Sequence, residues 1–294
     1  MAIERFAILG GSSVYTPELI LSIISHNVHV KEIVLIGRSE RKLSVVVAFC
    51  RRLFNKTGFP VHVEGTTNVK QGVAGATYVL NNIRVGGMKA RIQDERLPPL
   101  MGMIGDECVG AGGFANAMRT LPVVLQYAEM IEKANPDALL INLTNPVGIC
   151  VEALLRYSKL KVVGVTDLPG VYIKKIAEVL EHDESQLVVH YVGLNHMGWI
   201  QDVKINGYSQ MARLLERLEK HEVDGFDFEL IELFRMIPTR QLALYFHQDA
   251  ILKKQRAIAR SRVEVLHEAE EQILELYADE RLSDIPELTR ARNA

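Results

Sequence analysis

The chain has 294 residues, of which 48% are hydrophobic, so it can bury one large core or two of ordinary size. Its 34 basic and 36 acidic side chains give a formal net charge of −2, which argues against nucleic acid or an acidic membrane as a partner. The three cysteines form no disulfide framework, the start of the chain has no signal-type segment, and no apolar run reaches the roughly 20 residues of a membrane helix. We therefore expect a soluble, cytoplasmic protein.

The first stretch of the chain predicts a short strand that turns sharply into a helix. The apolar run Phe6–Leu9 ends in two glycines and two serines, and a helical pattern follows from Pro17. Such a turn lets a diphosphate approach the main chain, and the helix N-terminus adds N–H groups and a positive dipole end. The full G-x-G-x-x-G spacing is absent, so a plain strand–helix turn stays the alternative. The predicted dinucleotide-binding residues are Gly10, Gly11, Ser12 and Ser13.

The second predicted strand, Glu32–Ile36, completes a βαβ unit. In a dinucleotide fold an acid after this strand holds the ribose 2′-hydroxyl. Here the residues are Gly37-Arg38-Ser39, and an arginine with a serine suits a 2′-phosphate better than a hydroxyl. These residues favour NADP over NAD and make Arg38 a cofactor-binding candidate, although Arg38 is equally consistent with a solvated loop cation.

Strands and helices alternate as far as residue 180. The further predicted elements are strands at 61–65, 77–82, 138–142 and 161–165 and helices at 41–54, 115–133, 148–157 and 171–180. This alternation predicts an α/β fold with a doubly wound, Rossmann-like parallel sheet covered by helices.

One more strand is predicted at 186–193, and the character of the chain changes near His196. The segments 209–220, 227–234 and 243–277 are predicted to be helical, and no strand is expected among them. We therefore predict a dinucleotide-binding domain at residues 1–194 and a mostly helical domain at residues 195–294.

Polar clusters follow several of the predicted strands. Asn145-Pro146 follows the fifth strand, Thr166-Asp167 the sixth and Asn195-His196 the last. Two further polar groups, Arg91–Glu95 in a predicted loop and Asp106-Glu107-Cys108, lie between strands. Such residues along one rim of the sheet, beside a dinucleotide, suggest hydride chemistry on a small polar substrate. Each of them alone is more often a turn former, a cap or a surface charge.

A set of sequence strings spread over nearly the whole chain carries a specific resemblance. The strings are Gly10–Leu19, Arg84–Gly87, Arg91–Glu95, Ile104–Glu107, Gly112–Phe114, Arg119-Thr120, Thr144–Gly148 and Gly193–Trp199. Together they resemble glycoside hydrolase family 4, the NAD- and metal-dependent glycosidases. The resemblance implies a fold related to lactate and malate dehydrogenases, in agreement with the predicted sheet.

The resemblance also implies hydrolysis of glucosides or 6-phosphoglucosides. In that family the cofactor oxidises the sugar's 3-hydroxyl, a tyrosine removes the proton on carbon 2, and the aglycone leaves by elimination. Water then adds and the ketone is reduced again, while a divalent metal, usually manganese, stabilises the enolate-like charge. We therefore expect NAD or NADP, Mn²⁺, a sugar or sugar-phosphate substrate and a homo-oligomer of two or four chains, with no nucleic acid and no membrane.

Five residues match functional positions of the family. Arg91 and Asn145 match its substrate-binding arginine and asparagine, and Glu107 matches an acid thought to raise the basicity of the tyrosine. Asp167 falls where α-glycosidase members carry an acidic proton donor. His196 matches the metal-binding histidine.

Other positions depart from the family pattern. Thr166 stands where the family has a metal-binding cysteine, and a hydroxyl is a weaker ligand than a thiolate. Gln241 stands at the position of the catalytic tyrosine, and Tyr245 comes about one helical turn later. Cys108 is an alternative thiolate, or simply a small buried residue. The chain also stops where family members continue, so a wider site or an apolar surface for a partner chain is expected.

Two other functions stay open at this point. One is a dinucleotide- and sugar-phosphate-binding protein without glycosidase activity, acting as a sensor or partner subunit. The other is a sugar dehydrogenase, which needs hydride transfer but no base for carbon 2.

Overall fold

The computed structural model describes residues 3–221 and 226–292. Its internal contacts divide the chain into two compact units: unit 1 is Met1–Val165 with Ile258–Ala294, and unit 2 is Thr166–Ala257. The chain thus leaves unit 1 before the predicted boundary at 194/195 and returns to it near the C-terminus. It returns because Ile273 and Tyr277, both fully buried, complete a core of unit 1.

Unit 1 contains a parallel sheet of six strands. The strands are β1 Ile3–Leu9, β2 Val30–Ile36, β3 His62–Thr66, β4 Tyr78–Asn81, β5 Leu139–Asn142 and β6 Lys161–Gly164. Their order across the sheet is β3-β2-β1-β4-β5-β6, which confirms the predicted doubly wound fold. In such a sheet the ligand crevice lies where the order reverses, here between the carboxyl ends of β1 and β4.

Helices cover both faces of this sheet. They are α1 Thr16–Ser25, α2 Glu40–Thr57, α3 Val69–Val73, α4 Gly87–Leu100, α5 Gly110–Ala134 and α6 Val147–Tyr157. Successive residues of β1 point to opposite faces, so Ile8 packs in one hydrophobic core and Leu9 in the other. The first core includes α1 and α2, and the second includes α5 and α6.

The prediction of a loop at Arg91–Glu95 is wrong, because this stretch forms the middle of α4. The helix begins after Gly86, which has φ +84°, and it contains Pro98 and Pro99 near its end. Glycine and proline usually mark the boundaries of helices, so their presence here favoured the incorrect prediction of a loop.

Unit 2 combines a small antiparallel sheet with helices. Its elements are α7 Leu168–Leu180, β7 Leu187–Leu194, β8 Met197–Ile205, β9 Tyr208–Ser209, α8 Met211–His221, α9 Phe228–Phe234, β10 Ile237–Pro238, α10 Ala243–Phe246 and α11 Gln248–Ala257. Strand β7 pairs with β8 instead of extending the parallel sheet. Strand β8 was missed because Gln201 is an extra residue in its pairing with His190/Tyr191 of β7, which interrupts the apolar alternation of β8.

The long helix predicted over 243–277 is three helices, α10, α11 and α12 Arg262–Ala278. The last begins at a capping box, in which Ser261 and Glu264 bond each other's backbone amides. In the two described stretches no helix has the length and apolar character needed to span a bilayer.

Candidate functional site

The glycine turn lies at the carboxyl end of β1, where the strand order reverses. Gly10 has φ +85°, and a Cβ there would lie 2.1 Å from the backbone oxygen of Asn82, the residue after β4. The amides of Gly10 and Gly11 both donate to the Ile36 carbonyl, at 3.0 and 2.9 Å. The turn is therefore wedged between the ends of β2 and β4, and the positive dipole end of α1 follows it.

The end of β2 offers no space for the acid that a dinucleotide fold usually carries. A Cβ at Gly37 would lie 2.7 Å from Oγ of Ser12. Arg38 is exposed, and Ser39 is the N-cap of α2, its Oγ accepting a hydrogen bond from the Lys42 amide at 3.3 Å. The serine that favoured a 2′-phosphate in the sequence thus has a structural role of its own.

Unit 1 brings Glu107, Arg91 and Asn145 together. Asn145 Nδ2 donates to Oε1 of Glu107 at 3.1 Å, and Arg91 Nη2 lies 3.2 Å from the same oxygen. Arg84, from the loop after β4, forms an ion pair with Oε2 of Glu107. One carboxylate therefore holds two guanidinium groups and an amide at the carboxyl edge of the sheet.

A buried asparagine that the sequence analysis missed supports this cluster. Asn116 Nδ2 donates to the backbone oxygens of Glu107, at 3.0 Å, and Asn145, at 3.3 Å. Its Oδ1 accepts from the Thr120 hydroxyl at 3.0 Å. An asparagine and a threonine four residues apart on the inward face of a predicted helix are the signal that could have revealed this support.

Charge and burial set the protonation of the cluster. Burial alone would raise the pKa of Glu107, but Arg84 and Arg91 outweigh it and the pKa is lowered. Glu107 is therefore ionised at neutral pH. Burial and the negative charges of Glu107 and Asp106 raise the pKa of the Cys108 thiol, so Cys108 is no ready thiolate.

Unit 2 holds two more of the predicted residues on separate elements. Asp167 is exposed at the N-cap of α7, directly after Thr166. His196 has φ +64° and lies in the two-residue turn between β7 and β8. The strand before Asn195-His196, β7, belongs to the antiparallel sheet and does not extend the parallel sheet, so the placement of this pair at the rim of the parallel sheet stays a prediction.

The position of the family's catalytic tyrosine lies in a 3-10 turn, Arg240–Leu242. Gln241 Oε1 is buried there and accepts no hydrogen bond within the described residues. Tyr245 lies on α10 with 39% of its surface exposed. Tyr172 is buried in the same unit, and burial raises the pKa of its hydroxyl, which makes it a poor base.

The sequence analysis also missed a histidine–aspartate pair in unit 2. His247 Nε2 lies 2.8 Å from Oδ2 of Asp227, and the other oxygen of Asp227 caps α9 by accepting from the Leu230 amide at 3.2 Å. A carboxylate held in this way fixes the orientation and tautomer of an imidazole.

Comparison with known proteins identifies the family. The model described as "Family 4 glycosyl hydrolase" matches residues 5–182, and the "Family 4 glycosyl hydrolase C-terminal domain" matches residues 191–293. The chain belongs to glycosyl hydrolase family 4. Within it, a probable 6-phospho-beta-glucosidase of Bacillus subtilis is 33% identical over 96% of this chain and 68% of its own length. A 6-phospho-beta-glucosidase of Escherichia coli is 32% identical over 95% of this chain and 66% of its own length.

Solved structures agree with the family assignment. A 6-phospho-beta glucosidase of Thermotoga maritima, with manganese, NAD⁺ and glucose-6-phosphate, matches with a TM-score of 0.89 and 30% identity over 97% of this chain and 69% of its own. A Cryptosporidium parvum lactate dehydrogenase matches 75% of this chain and 66% of its own with a TM-score of 0.55 and 19% identity, which confirms the predicted likeness of fold. The chain thus spans about two thirds of the length of its family 4 relatives.

Proposed function

We propose that this chain is a nicotinamide-dependent glycosidase acting on glucosides or 6-phosphoglucosides. The observation that carries the proposal is the ionised Glu107 cluster, which stands at the same edge of the sheet as the glycine turn. Its family 4 relatives are named as 6-phospho-beta-glucosidases, and the Thermotoga structure contains NAD⁺ and glucose-6-phosphate. These names support a sugar phosphate as the substrate class.

The residues of unit 1 fit a dinucleotide, because the turn at Gly10–Ser13 lies at the switch point of the sheet and the N-terminus of α1 follows it. When bound, the cofactor supplies a hydride acceptor for a sugar hydroxyl. Arg91 and Asn145 bind and orient the sugar, and Glu107 fixes both of their side chains. Asp167, exposed at the N-cap of α7, is the residue to which the resemblance assigns proton donation to the leaving group.

Position 166 does not fit the family's metal site, because Thr166 offers a hydroxyl where the family offers a thiolate. Binding of Mn²⁺ by His196 stays a prediction from the resemblance.

A second function is favoured by one observation, the amide of Gln241 at the position of the base. A chain that binds dinucleotide and sugar phosphate but cannot remove the proton on carbon 2 acts as a sensor or as a partner subunit. A glutamine cannot accept that proton near neutral pH.

The test is an assay of aryl glucosides and aryl 6-phosphoglucosides with NAD or NADP, with and without Mn²⁺. Release of the aryl group without net cofactor reduction supports the glycosidase, and net reduction supports a sugar dehydrogenase. Calorimetric titration with glucose-6-phosphate identifies a binding protein if the sugar binds and no aryl group is released. The matched control is Asn145→Ala, which keeps the turn but removes one sugar contact. Absence of both release and binding contradicts the proposal.

A further inference from the structure

Helix α12 crosses unit 1 from α4 to α2. Near its start Val263 packs against Met88 of α4. Near its end the Tyr277 ring stacks on Phe49 of α2, with 4.1 Å between ring centroids, and its hydroxyl donates to the Val14 carbonyl at 2.8 Å. The helix therefore passes along the carboxyl edge of the sheet and ends against the glycine turn.

Glu270 lies midway along α12 on its inward face. It is three to seven residues from the buried Ile273, Leu266 and Tyr277, which places all four on one side of the helix. Glu270 is half-buried and forms no hydrogen bond or close ion pair within the part of the chain that the structure describes. The next residue, Glu271, is exposed instead and bonds Lys42 Nζ at 2.5 Å.

The elements around α12 show where the carboxyl of Glu270 lies. The helix packs against α4 and α2, the neighbouring Glu271 bonds Lys42, and the positive charges of Lys42 and Arg84 act on the Glu270 carboxyl. Lys42 is in the first turn of α2, directly after the end of β2, and Arg84 follows β4. The carboxyl therefore lies between the loops that follow β2 and β4, and the glycine turn is wedged between the same two strands.

An acidic side chain at position 270 lowers the stability of the unliganded protein. Burial raises the pKa of Glu270, and the positive charges only partly offset this effect. A half-buried carboxylate without a hydrogen-bond donor lowers stability unless a ligand supplies the donor. Meanwhile the usual position of the ribose acid, Gly37, has no space for a side chain beside Ser12.

We propose that Glu270 accepts hydrogen bonds from the ribose hydroxyls of the dinucleotide, in place of the acid missing at Gly37. The assignment rests on the dinucleotide site of the proposed function and names its specificity. A carboxylate accepts from a 2′-hydroxyl and repels a 2′-phosphate, so Glu270 selects NAD over NADP. This outcome is opposite to the preference that Arg38 and Ser39 suggest in the sequence.

The test compares Glu270→Gln with Glu275→Gln, an exposed acid on the same helix. Dissociation constants for NAD and NADP are measured by calorimetric titration, and the melting temperature is measured without ligand. We expect the unaltered chain to prefer NAD, and Glu270→Gln to weaken NAD binding by about tenfold or more, with little change for NADP. We also expect Glu270→Gln to raise the melting temperature, which loss of a structural contact would lower. Glu275→Gln leaves all three quantities unchanged.

Two results would overturn the assignment in different ways. Unchanged NAD affinity in Glu270→Gln, or preference of the unaltered chain for NADP, overturns the role of Glu270 alone. If the unaltered chain binds neither dinucleotide, the proposed function fails with it.

Discussion

The cluster around Glu107 in unit 1 and the positions of unit 2 to which the resemblance assigns catalysis differ in how their residues are held. In unit 1, Arg91 and Asn145 bond the same carboxylate, and Asn116 ties the backbones behind it. In unit 2, Asp167, His196 and Gln241 lie on three separate elements. The family's residues are retained in the first region and partly replaced in the second.

The retention of the family's residues in unit 1 and their partial replacement in unit 2 have a physical cause besides catalysis. Removing Glu107 leaves Arg84 without its ion-pair partner and Arg91 with Glu95 alone, so the unit 1 cluster also stabilises the fold. Gln241, by contrast, already leaves one buried oxygen without a donor in the described residues, which costs unit 2 about 1–3 kcal/mol. Retention of Arg91, Glu107 and Asn145 therefore has a structural explanation as well as a functional one, and it does not by itself establish turnover.

Gly10→Ala should have the largest effect of the variants proposed for unit 1. The new Cβ meets the Asn82 backbone oxygen at 2.1 Å in a residue with φ +85°, so we expect a loss of about 3 kcal/mol in the free energy of unfolding. NAD binding should be lost with it. Urea denaturation and calorimetric titration measure the two effects. Gly58→Ala is the control, because its φ is +67° but nothing lies within 4 Å, and it should cost about 1 kcal/mol.

Gln241→Tyr should restore a tyrosine at the family's base position in unit 2. If the absent base limits turnover, the phenol should raise kcat on an aryl 6-phosphoglucoside by about 10²-fold. Gln241→Phe is the control for size and should give no gain. An unchanged kcat in the tyrosine variant would mean that the missing base does not limit turnover by this chain.

Glu107→Gln should separate charge from packing in the unit 1 cluster. The amide keeps the size of the side chain but leaves Arg84 without its ion-pair partner and Arg91 with Glu95 alone, so we expect a loss of about 2 kcal/mol, less than for a fully buried pair. Exposed Glu129, paired with Lys133, is the control, and Glu129→Gln should leave the free energy of unfolding nearly unchanged. Equal losses in the two variants would show that the cluster is an ordinary surface network.

The same variant carries a prediction about pH. The pKa of Glu107 is lowered in the folded chain, so its stabilisation is complete above the ordinary glutamate pKa and is lost as the pH falls below it. The difference in unfolding free energy between the unaltered chain and Glu107→Gln should therefore shrink as the pH falls from 7 towards 3. A difference that stays constant over this range would contradict the ion pairs.

The sequence predicts unit 1 well because its signals are local. Alternating apolar strands and amphipathic helices identify the parallel sheet, and the glycines mark the turn at its switch point. What the sequence could not give depends on pairs distant along the chain. Asn116 beneath Glu107, Ser12 against Gly37, and Glu270 between two loops become visible only when the elements are packed.

Unit 2 was predicted less well for a related reason. The bulge at Gln201 disrupts the period-2 pattern on which a strand prediction depends, so β8 was missed and β7 was not recognised as part of a second sheet. The departures Thr166 and Gln241, in contrast, were readable from sequence, because a motif position holds one residue whatever the fold around it.

Tyr277→Phe gives the smallest effect and tests whether the C-terminal helix belongs to the dinucleotide site. The phenylalanine keeps the stacking on Phe49 but loses the hydrogen bond to the Val14 carbonyl, so we expect a loss of about 1 kcal/mol in unfolding free energy. Because Val14 belongs to the turn before α1, NAD should also bind a few-fold more weakly in the titration. Tyr157→Phe, at a tyrosine with 70% exposure, should change neither quantity. Loss of stability with unchanged NAD affinity would mean that α12 supports the core of unit 1 without positioning the turn.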